Sequence, residues 1–327
     1  MTVLVTGGAG YIGSHVVRML VGLQREVVVI DSLETGHRDA VLGVPLVVGD
    51  IADKALVSGV VGEYRVDSVI HFAAYKAPEA SMVAPERYFA NNVAGTVSLL
   101  DVLVQAGVTQ FVFSSTCAVY GTPKRLPVDE DHELGPESPY GESKLIVERM
   151  LNWMERCHGM RSVSLRYFNA AGASADGVIG EDWRSTSNLV PLAMKAALGR
   201  APKLIVFGTD YPTPDGSAIR DYIHVEDLAD AHVRALEYLE RGGEGTVVNL
   251  GSATGTSVLE IVDATRRLTG TELPVELTGR RAGDPVAVYA DNTRATEVLG
   301  WKPTRNLDDI VSSAWQWHST HPDGYGS

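Results

Sequence analysis

Three residues near the middle of the chain have types and spacing that can do chemistry together. Tyr140 and Lys144 stand four apart within Ser138-Pro139-Tyr140-Gly141-Glu142-Ser143-Lys144, and Thr116 follows an apolar run, 110–115, that reads as a strand. Ser138 suits a helix N-cap and Pro139 the first helical position, so a helix starting here puts Tyr140 and Lys144 on one face. A tyrosine of pKa about 10 is no base at neutral pH. To accept a proton it must fall by about 3 units, roughly 4 kcal/mol. One cation about 5 Å away supplies roughly 3 kcal/mol at an effective dielectric of about 20. Lys144 alone therefore falls short, and Lys144 plus a second positive charge suffices. The chemistry on offer is removal of a proton from a hydroxyl, with Thr116 bridging that oxygen and the phenol.

The start of the chain suggests the source of the second charge. Val3-Leu4-Val5 runs into a glycine turn in which Gly7, Gly10 and Gly13 fall three apart, followed by a helical pattern at 14–23. That spacing allows a tight turn, backbone N–H groups close to a pyrophosphate, and close helix–strand packing. It departs from Gly-x-Gly-x-x-Gly, and context strengthens it. A second apolar strand, 27–30, ends in Asp31, about 20 residues on, where an acid holds ribose hydroxyls. The same acid repels a 2′-phosphate. The expected cofactor is NAD rather than NADP, and its oxidised nicotinamide carries the missing charge.

These side chains need a frame. Apolar runs at 3–5, 27–30, 45–48, 66–72 and 110–115 alternate with helical patterns, including 91–106. The alternation predicts an α/β fold, a doubly wound parallel sheet of Rossmann type covered on both faces. Ligands of such sheets lie beyond the carboxyl ends of the strands. The candidate residues fall there: the glycine loop, Asp31, Asp50, Ala73 to Lys76, and Ser114 to Thr116. From about Gly172 the alternation fades into loops rich in Gly, Pro, Asp and Ser at 173–187 and 208–217, which predicts a second, smaller α/β substrate domain. A helix at 225–239 and a strand at 246–250 suggest a return to the first. The expected NAD-binding domain is 1–168 plus about 218–251. The expected substrate domain is about 169–217 plus 252–327, with a loosely ordered tail from His321.

Composition narrows the partners. With 28 basic against 41 acidic residues the net charge is -13, which argues against nucleic acid and anionic membranes. An anionic ligand would have to be met by local arginines. Hydrophobic content of 45% is ordinary for a globular protein. Cys117 and Cys157 provide neither a disulfide framework nor metal-ligand spacing. His71 reads as core, and the acids after His224 suit the first turn of a helix, so no metal is expected. No apolar run is long enough to span a bilayer and no leader precedes the first strand, so a cytoplasmic enzyme is expected.

Gly-x-x-Gly-x-x-Gly with Tyr-x-x-x-Lys resembles the extended short-chain dehydrogenase/reductase family, and nearly the whole chain is similar to its UDP-hexose 4-epimerase branch. The resembling stretches include Gly7 to His15, Val69-Ile70-His71-Phe72-Ala73-Ala74, Phe113-Ser114-Ser115-Thr116 and Leu165-Arg166-Tyr167-Phe168-Asn169. The most specific is Phe207-Gly208-Thr209-Asp210-Tyr211-Pro212-Thr213 running on to Arg220-Asp221-Tyr222. The resemblance implies an enzyme with tightly bound NAD that interconverts UDP-glucose and UDP-galactose by inverting carbon 4 through a 4-keto sugar. It also implies a homodimer paired through the Tyr140–Lys144 helix and its neighbour. Fingerprint and resemblance together assign to the cofactor Gly7, Gly10, Tyr11, Ile12, Gly13, Asp31, Asp50, Ile51, Phe72, Ala73, Ala74, Lys76, Asn91, Ser114, Tyr140, Lys144 and Phe168. They assign to the UDP-sugar Lys76, Thr116, Tyr140, Asn169, Asn188, Leu189, Phe207, Arg220, Arg281, Asp284 and Val288. The catalytic residues are Tyr140, Lys144 and Thr116.

Three departures matter. Thr116 stands where the family usually has Ser, which keeps the hydroxyl. Ala77-Pro78-Glu79-Ala80-Ser81 differs from the usual continuation after Lys76. Val288 stands where a bulky aromatic is associated with rejecting N-acetylated sugars, so UDP-N-acetylhexosamines are expected as further substrates. A nucleotide-sugar dehydratase needs an acid pair beside the threonine, where this chain has Cys117-Ala118. A decarboxylase on the same scaffold and a 4-epimerase of another UDP-sugar, such as a uronic acid, stay open. A non-catalytic NAD-binding module commonly lacks the Tyr or the Lys, and both are present.

Overall fold

The computed structural model describes residues 1–281 and 283–326. Seven parallel strands form the central sheet: β1 (Thr2–Thr6), β2 (Glu26–Asp31), β3 (Leu46–Val48), β4 (Val66–His71), β5 (Gln110–Ser114), β6 (Arg161–Tyr167) and the strand Thr246–Leu250. Their order is 246–250, β6, β5, β4, β1, β2, β3. The order reverses between β1 and β4, and at that switch point a crevice opens beyond the strand ends. Thr6 is level with Ile30 of β2 and His71 of β4, so the loops leaving β1, β2 and β4 start at one height. Strands covered on both faces read as unbroken apolar runs rather than alternating ones. Val3 and Val5 face one core with Val16 and Leu20, while Leu4 faces the other with Val28, Leu99 and Leu103. Each such burial stabilises the sheet by about 1.5–3 kcal/mol relative to exposure.

The expected strands and the 225–239 helix are present within a residue or two. Sequence reading gave no strand at β6, whose Arg-Ser-Val-Ser-Leu-Arg-Tyr mixes polar residues into a buried element. Its Arg166 is buried by pairing with Glu148. The segment expected as one helix at 91–106 begins as a wide π turn, Phe89–Gly95, and becomes α-helical at Thr96–Gln105.

Beyond β6 the chain builds small sheets: 169–171 with 222–224, 204–207 with 275–278, and 219–220 between 256–257 and 287–288. The helices Leu189–Ala197, Val258–Thr269 and Leu307–Thr320 share a core of Met194, Ile261, Ile310 and Ala314 around Trp183. The expectation of a loosely ordered tail is corrected. The Tyr325 hydroxyl donates to Gly180 O at 2.9 Å and accepts from Gly180 N at 3.0 Å. The Tyr325 ring stacks on His37 at 4.8 Å, which a short polar tail gave no sequence signal for. Ser327 lies outside the described residues. Among the described residues no helix is long and apolar enough to cross a membrane.

Candidate functional site

The crevice is a backbone cradle. Gly7 has φ 72°, a conformation that favours glycine. A Cβ there would lie 2.6 Å from Ala73 N, and one on Gly13 would lie 2.3 Å from Gly7 O. Only glycine lets the β1 loop, the β4 loop and the Tyr11–Gly22 helix approach this closely. Gly10 caps that helix without a side chain, and its first turn holds no acid. The helix N-terminus is therefore open to an anion. Asp31 accepts Ala9 N on one oxygen at 2.9 Å and Leu33 N on the other at 2.8 Å. Burial raises its pKa, and those two N–H groups oppose the rise. Each oxygen keeps a lone pair, which fits a ribose diol and disfavours a further phosphate. Pyrophosphate cradle and diol acceptor together match NAD.

The other cofactor candidates line the same strand ends. The Tyr11 hydroxyl donates to Gly172 O at 2.7 Å. Ile12 is half-buried against the core behind the loop. Asp50 is exposed, holding Ala52 N at 2.8 Å, and Ile51 is buried. The Phe72 ring lies 4.7 Å from His232. Asn91 Nδ2 donates to Asn92 Oδ1 at 2.9 Å. Asn92, missed by sequence reading, is the buried anchor of this wall. It accepts Tyr75 N at 2.8 Å and donates to Tyr75 O at 3.1 Å and Ser143 Oγ at 3.0 Å. The loop at 73–76 is thereby tied to the helix carrying Tyr140. The Asn-Asn pair was the available signal.

The chemical trio comes from two elements. Ser138 accepts Gly141 N at 3.2 Å and Pro139 opens the Pro139–His158 helix. A Cβ on Gly141 would lie 2.6 Å from Ala118 O, so this helix end packs hard on the turn after Thr116. The Thr116 hydroxyl accepts Ala118 N at 3.2 Å. Burial raises the Tyr140 phenol pKa, Tyr167 adds to the rise and Thr116 opposes it. Lys144 is 5% exposed. Its Nζ donates to Ser114 O at 2.9 Å and lies 4.9 Å from the Phe113 ring centre. Burial lowers its pKa to about 7, with Glu148 opposing. The chain's own residues thus leave the phenol protonated at neutral pH, and the need for a second cation is larger than the sequence arithmetic gave.

Glu148, one turn beyond Lys144, was also missed. It accepts Ser115 Oγ at 2.5 Å, Arg166 Nε at 3.0 Å and Arg166 Nη2 at 2.6 Å. The helix is thereby bolted to the ends of β5 and β6. Ser114 Oγ pairs with the Tyr167 hydroxyl at 2.7 Å. Phe168 is buried with Leu145 and Val119, and Val288 packs at the edge of that cluster.

A second cluster gathers residues far apart in sequence. Asp284 faces Arg220 at 3.5 Å and Arg281 at 3.1 Å. The Arg281 guanidinium lies 4.7 Å from the Phe207 ring centre, and Arg220 Nη1 donates to Ile219 O and Pro285 O, both at 2.9 Å. Val288 is in register with Arg220 on the neighbouring strand. Asn169 donates its backbone N and its Nδ2 to Asp221 O at 2.9 and 3.0 Å. Asn188 occupies the N-cap position of the helix that Leu189 begins, and its Nδ2 donates to Glu181 Oε1 at 2.8 Å. Lys76 reaches across from the dinucleotide side to Glu181 at 3.3 Å.

A switch-point cradle for a dinucleotide, a Tyr-x-x-x-Lys helix beside it and an arginine cluster opposite define an NAD-dependent enzyme of nucleotide sugars. The model of the NAD dependent epimerase/dehydratase family matches residues 3–251, and the chain belongs to that family. Its similarity to UDP-glucose 4-epimerases runs end to end. The enzyme of Streptococcus mutans is 50% identical over 99% of each chain. The crystal structure of the Brucella ovis UDP-glucose 4-epimerase in complex with NAD is 48% identical, with a TM-score of 0.94 over 96% of this chain and 97% of that one. The Bifidobacterium longum enzyme, solved with NAD+ and UDP, is 39% identical, with a TM-score of 0.94 over 99% and 100%. The resemblance read from the motifs holds, and the chain is an NAD-dependent epimerase.

Proposed function

We infer that this enzyme interconverts UDP-glucose and UDP-galactose by inverting carbon 4 through a 4-keto sugar. The observation that carries the reading is the buried Lys144, one turn from Tyr140 on the same helix, whose Nζ donates to the Ser114 carbonyl at 2.9 Å beside the strand end that carries Thr116. The glycine loop, Asp31, Asp50, Ile51, Phe72 to Ala74, Lys76, Asn91, Ser114 and Phe168 hold NAD. Asn169, Asn188, Leu189, Phe207, Arg220, Arg281 and Asp284 hold the nucleotide of the substrate.

NAD supplies a hydride acceptor and donor for carbon 4 and a positive charge beside the phenol. Tyr140 takes the proton of the sugar 4-hydroxyl, with Thr116 bridging the two oxygens. Lys144 holds its charge against the phenolate from the Ser114 carbonyl. Tyr140 then returns the proton to the 4-oxygen of the turned sugar as carbon 4 regains its hydride on the opposite face. Turning requires a firm grip on UDP and a loose one on the hexose, so remote binding energy positions the substrate without favouring either epimer. The arginine pair supplies charge-assisted donors for the diphosphate against the protein's acidic field.

Val288 is small and half-buried at the edge of the sugar side, which favours UDP-N-acetylhexosamines as additional substrates. The Cys117-Ala118 pair gives a dehydratase no acid for elimination. We further propose the domain division 1–168 plus 218–251 against 169–217 plus 252–327. A cytoplasmic homodimer acting in galactose metabolism completes the reading. Trp153 on the Pro139–His158 helix and Val97 on Thr96–Gln105 are 59% and 49% exposed, which suits those helices as the subunit contact. The test is incubation of purified enzyme with a panel of UDP-sugars without added cofactor, followed by chromatography of the epimers. Tyr140→Phe is expected to abolish turnover while NAD stays bound, and unchanged turnover overturns the assignment.

A further inference from the structure

The glycine loop is held at Ala9 from two sides. Asp31 accepts Ala9 N at 2.9 Å, and His37, further along the same β2 loop, donates its backbone N–H to Ala9 O at 2.9 Å. Gly36 lies against both. A Cβ there would stand 2.9 Å from Asp31 Oδ1 and 3.0 Å from the Ala9 carbonyl carbon. The segment 31–37 therefore closes the ribose end of the cradle, and whatever fixes His37 fixes that end.

The His37 side chain is fixed from the chain beyond β6. Its Nε2 lies 2.9 Å from Asp182 Oδ2, and its ring stacks on the Tyr325 ring at 4.8 Å with 20° between the planes. Tyr325 is anchored in turn. Its hydroxyl donates to Gly180 O and accepts from Gly180 N, and its ring lies 4.9 Å from that of the fully buried Trp317. Burial pushes this phenol up to about 12, so it stays neutral and can donate and accept at once. The tail backbone presses on the same carboxylate that meets His37, since a Cβ on Gly324 would lie 3.2 Å from Asp182 Oδ1. One tyrosine thus joins the loop at 180–182, the Leu307–Thr320 helix and the β2 loop. This tie is separate from those of the Tyr11–Gly22 helix, where the Tyr11 hydroxyl donates to Gly172 O and Arg18 Nη1 to Asp176 Oδ1, both at 2.7 Å.

For a bound dinucleotide to leave, the loops around its ribose must part, and contacts that must break first slow the departure. A loop already held in place also loses less freedom when the cofactor binds. We propose that Tyr325 is a positioning residue for the dinucleotide. Acting through His37, it ties the β2 loop to the loop at 180–182 and slows the release of NAD. The proposal rests on the placement of the ribose at Asp31.

The test strips external cofactor from NAD-loaded enzyme and follows the NAD retained per chain with time, in the parent, Tyr325→Ala, His37→Ala and the double variant. Either single change is expected to speed release roughly tenfold, with turnover of freshly loaded enzyme within about threefold of the parent. Because Tyr325 acts through His37, the double variant is expected to release NAD about as fast as the faster single one. A tyrosine that merely stiffened the tail would leave His37→Ala at the parent rate, or the two effects would multiply to roughly hundredfold. Either result overturns the proposal, as does parent-like release in Tyr325→Ala. If Tyr325→Ala does not fold, Tyr325→Phe keeps the ring and gives up the Gly180 clasp. It is expected to speed release about threefold, and release at the parent rate overturns the proposal. A Gly13→Ala enzyme that holds NAD as the parent does would instead sink the placement of the dinucleotide itself.

Discussion

Gly13 and Gly22 lie in the same helix, and replacing each by alanine separates cradle geometry from helix propensity. An ideal Cβ on Gly13 meets Gly7 O at 2.3 Å and Gly8 Cα at 2.9 Å, against ordinary contact at 3.4–4 Å. Both partners are backbone, so no side chain can swing away. Relief requires the glycine loop and the helix to part by about 1 Å. Overpacking of this kind costs about 1–3 kcal/mol, and a displacement of about 1 Å can cost roughly hundredfold in rate. A Cβ on Gly22 meets nothing within 4 Å. There alanine restores helix propensity and is expected to stabilise by about 0.5–1 kcal/mol. The assay is NAD per chain after acid release, alongside the urea midpoint and turnover without added cofactor. Gly13→Ala is expected to lose NAD tenfold or more and activity roughly hundredfold, while Gly22→Ala keeps both. A Gly13→Ala enzyme carrying a full complement of NAD at parent turnover refutes the close-approach reasoning.

Lys144→Met removes a charge worth roughly 3 kcal/mol to a phenolate about 5 Å away, so kcat should fall at least hundredfold; a fall under tenfold rejects the electrostatic role. The same variant strands the Ser114 carbonyl, at a cost of about 1–3 kcal/mol readable in urea melts. Five buried histidines have lowered pKa values: His15 and His71 to about 3, His224, His232 and His318 to about 4, each chiefly through burial. The unfolded chain takes up these protons near pH 6.5 and the folded chain does not. Stability present above pH 6.5 is therefore lost as pH falls toward 4, with a slope of up to about 7 kcal/mol per pH unit. Equal urea midpoints at pH 7 and pH 5 would contradict this. Val288→Tyr is expected to abolish turnover of UDP-N-acetylhexosamines and spare UDP-glucose, read by the same chromatography; equal effects on both sugars reject Val288 as the gate.

What was legible in the sequence followed from local rules. Apolar strands, glycines at fixed spacing, an acid at a strand end and Ser-Pro before a helix each have a short-range cause, and the sheet and its chemical residues came from them. What escaped was set by partners far along the chain. Arg166 looks out of place in a strand until Glu148 pairs with it. Glu181 looks like a loop acid until Lys76, Thr186 and Asn188 converge on one of its oxygens, from up to 105 residues away. The tail looked free because its anchors lie far along the chain: Tyr325 meets Gly180, 145 residues distant, and Asp323 meets Arg200, 123 residues distant. Charge arithmetic erred in one respect. It treated Lys144 as a free cation, whereas burial acts on the lysine and the phenol together and weakens both.

The two ends of the proposed substrate site are built on opposite principles. Around the nucleotide, Asp284 fixes Arg220 and Arg281 at 3.5 and 3.1 Å, and the backbone carbonyls of Ile219 and Pro285 hold Arg220 again. Donors so constrained lose little rotamer freedom when they bind a diphosphate, so more of their interaction energy is realised as affinity. Around Tyr140 lie Thr116, Tyr88 and Tyr167, and the hydroxyls of the two tyrosines are already engaged, by the Lys76 and Ala77 carbonyls and by Ser114 Oγ. A hexose there meets few directional bonds that would have to break before it turned. Inversion at carbon 4 needs both halves. A donor that gripped the sugar as Arg220 is proposed to grip the phosphate would keep one face of the ring toward the hydride carrier, and the 4-keto sugar would return only to the epimer it came from.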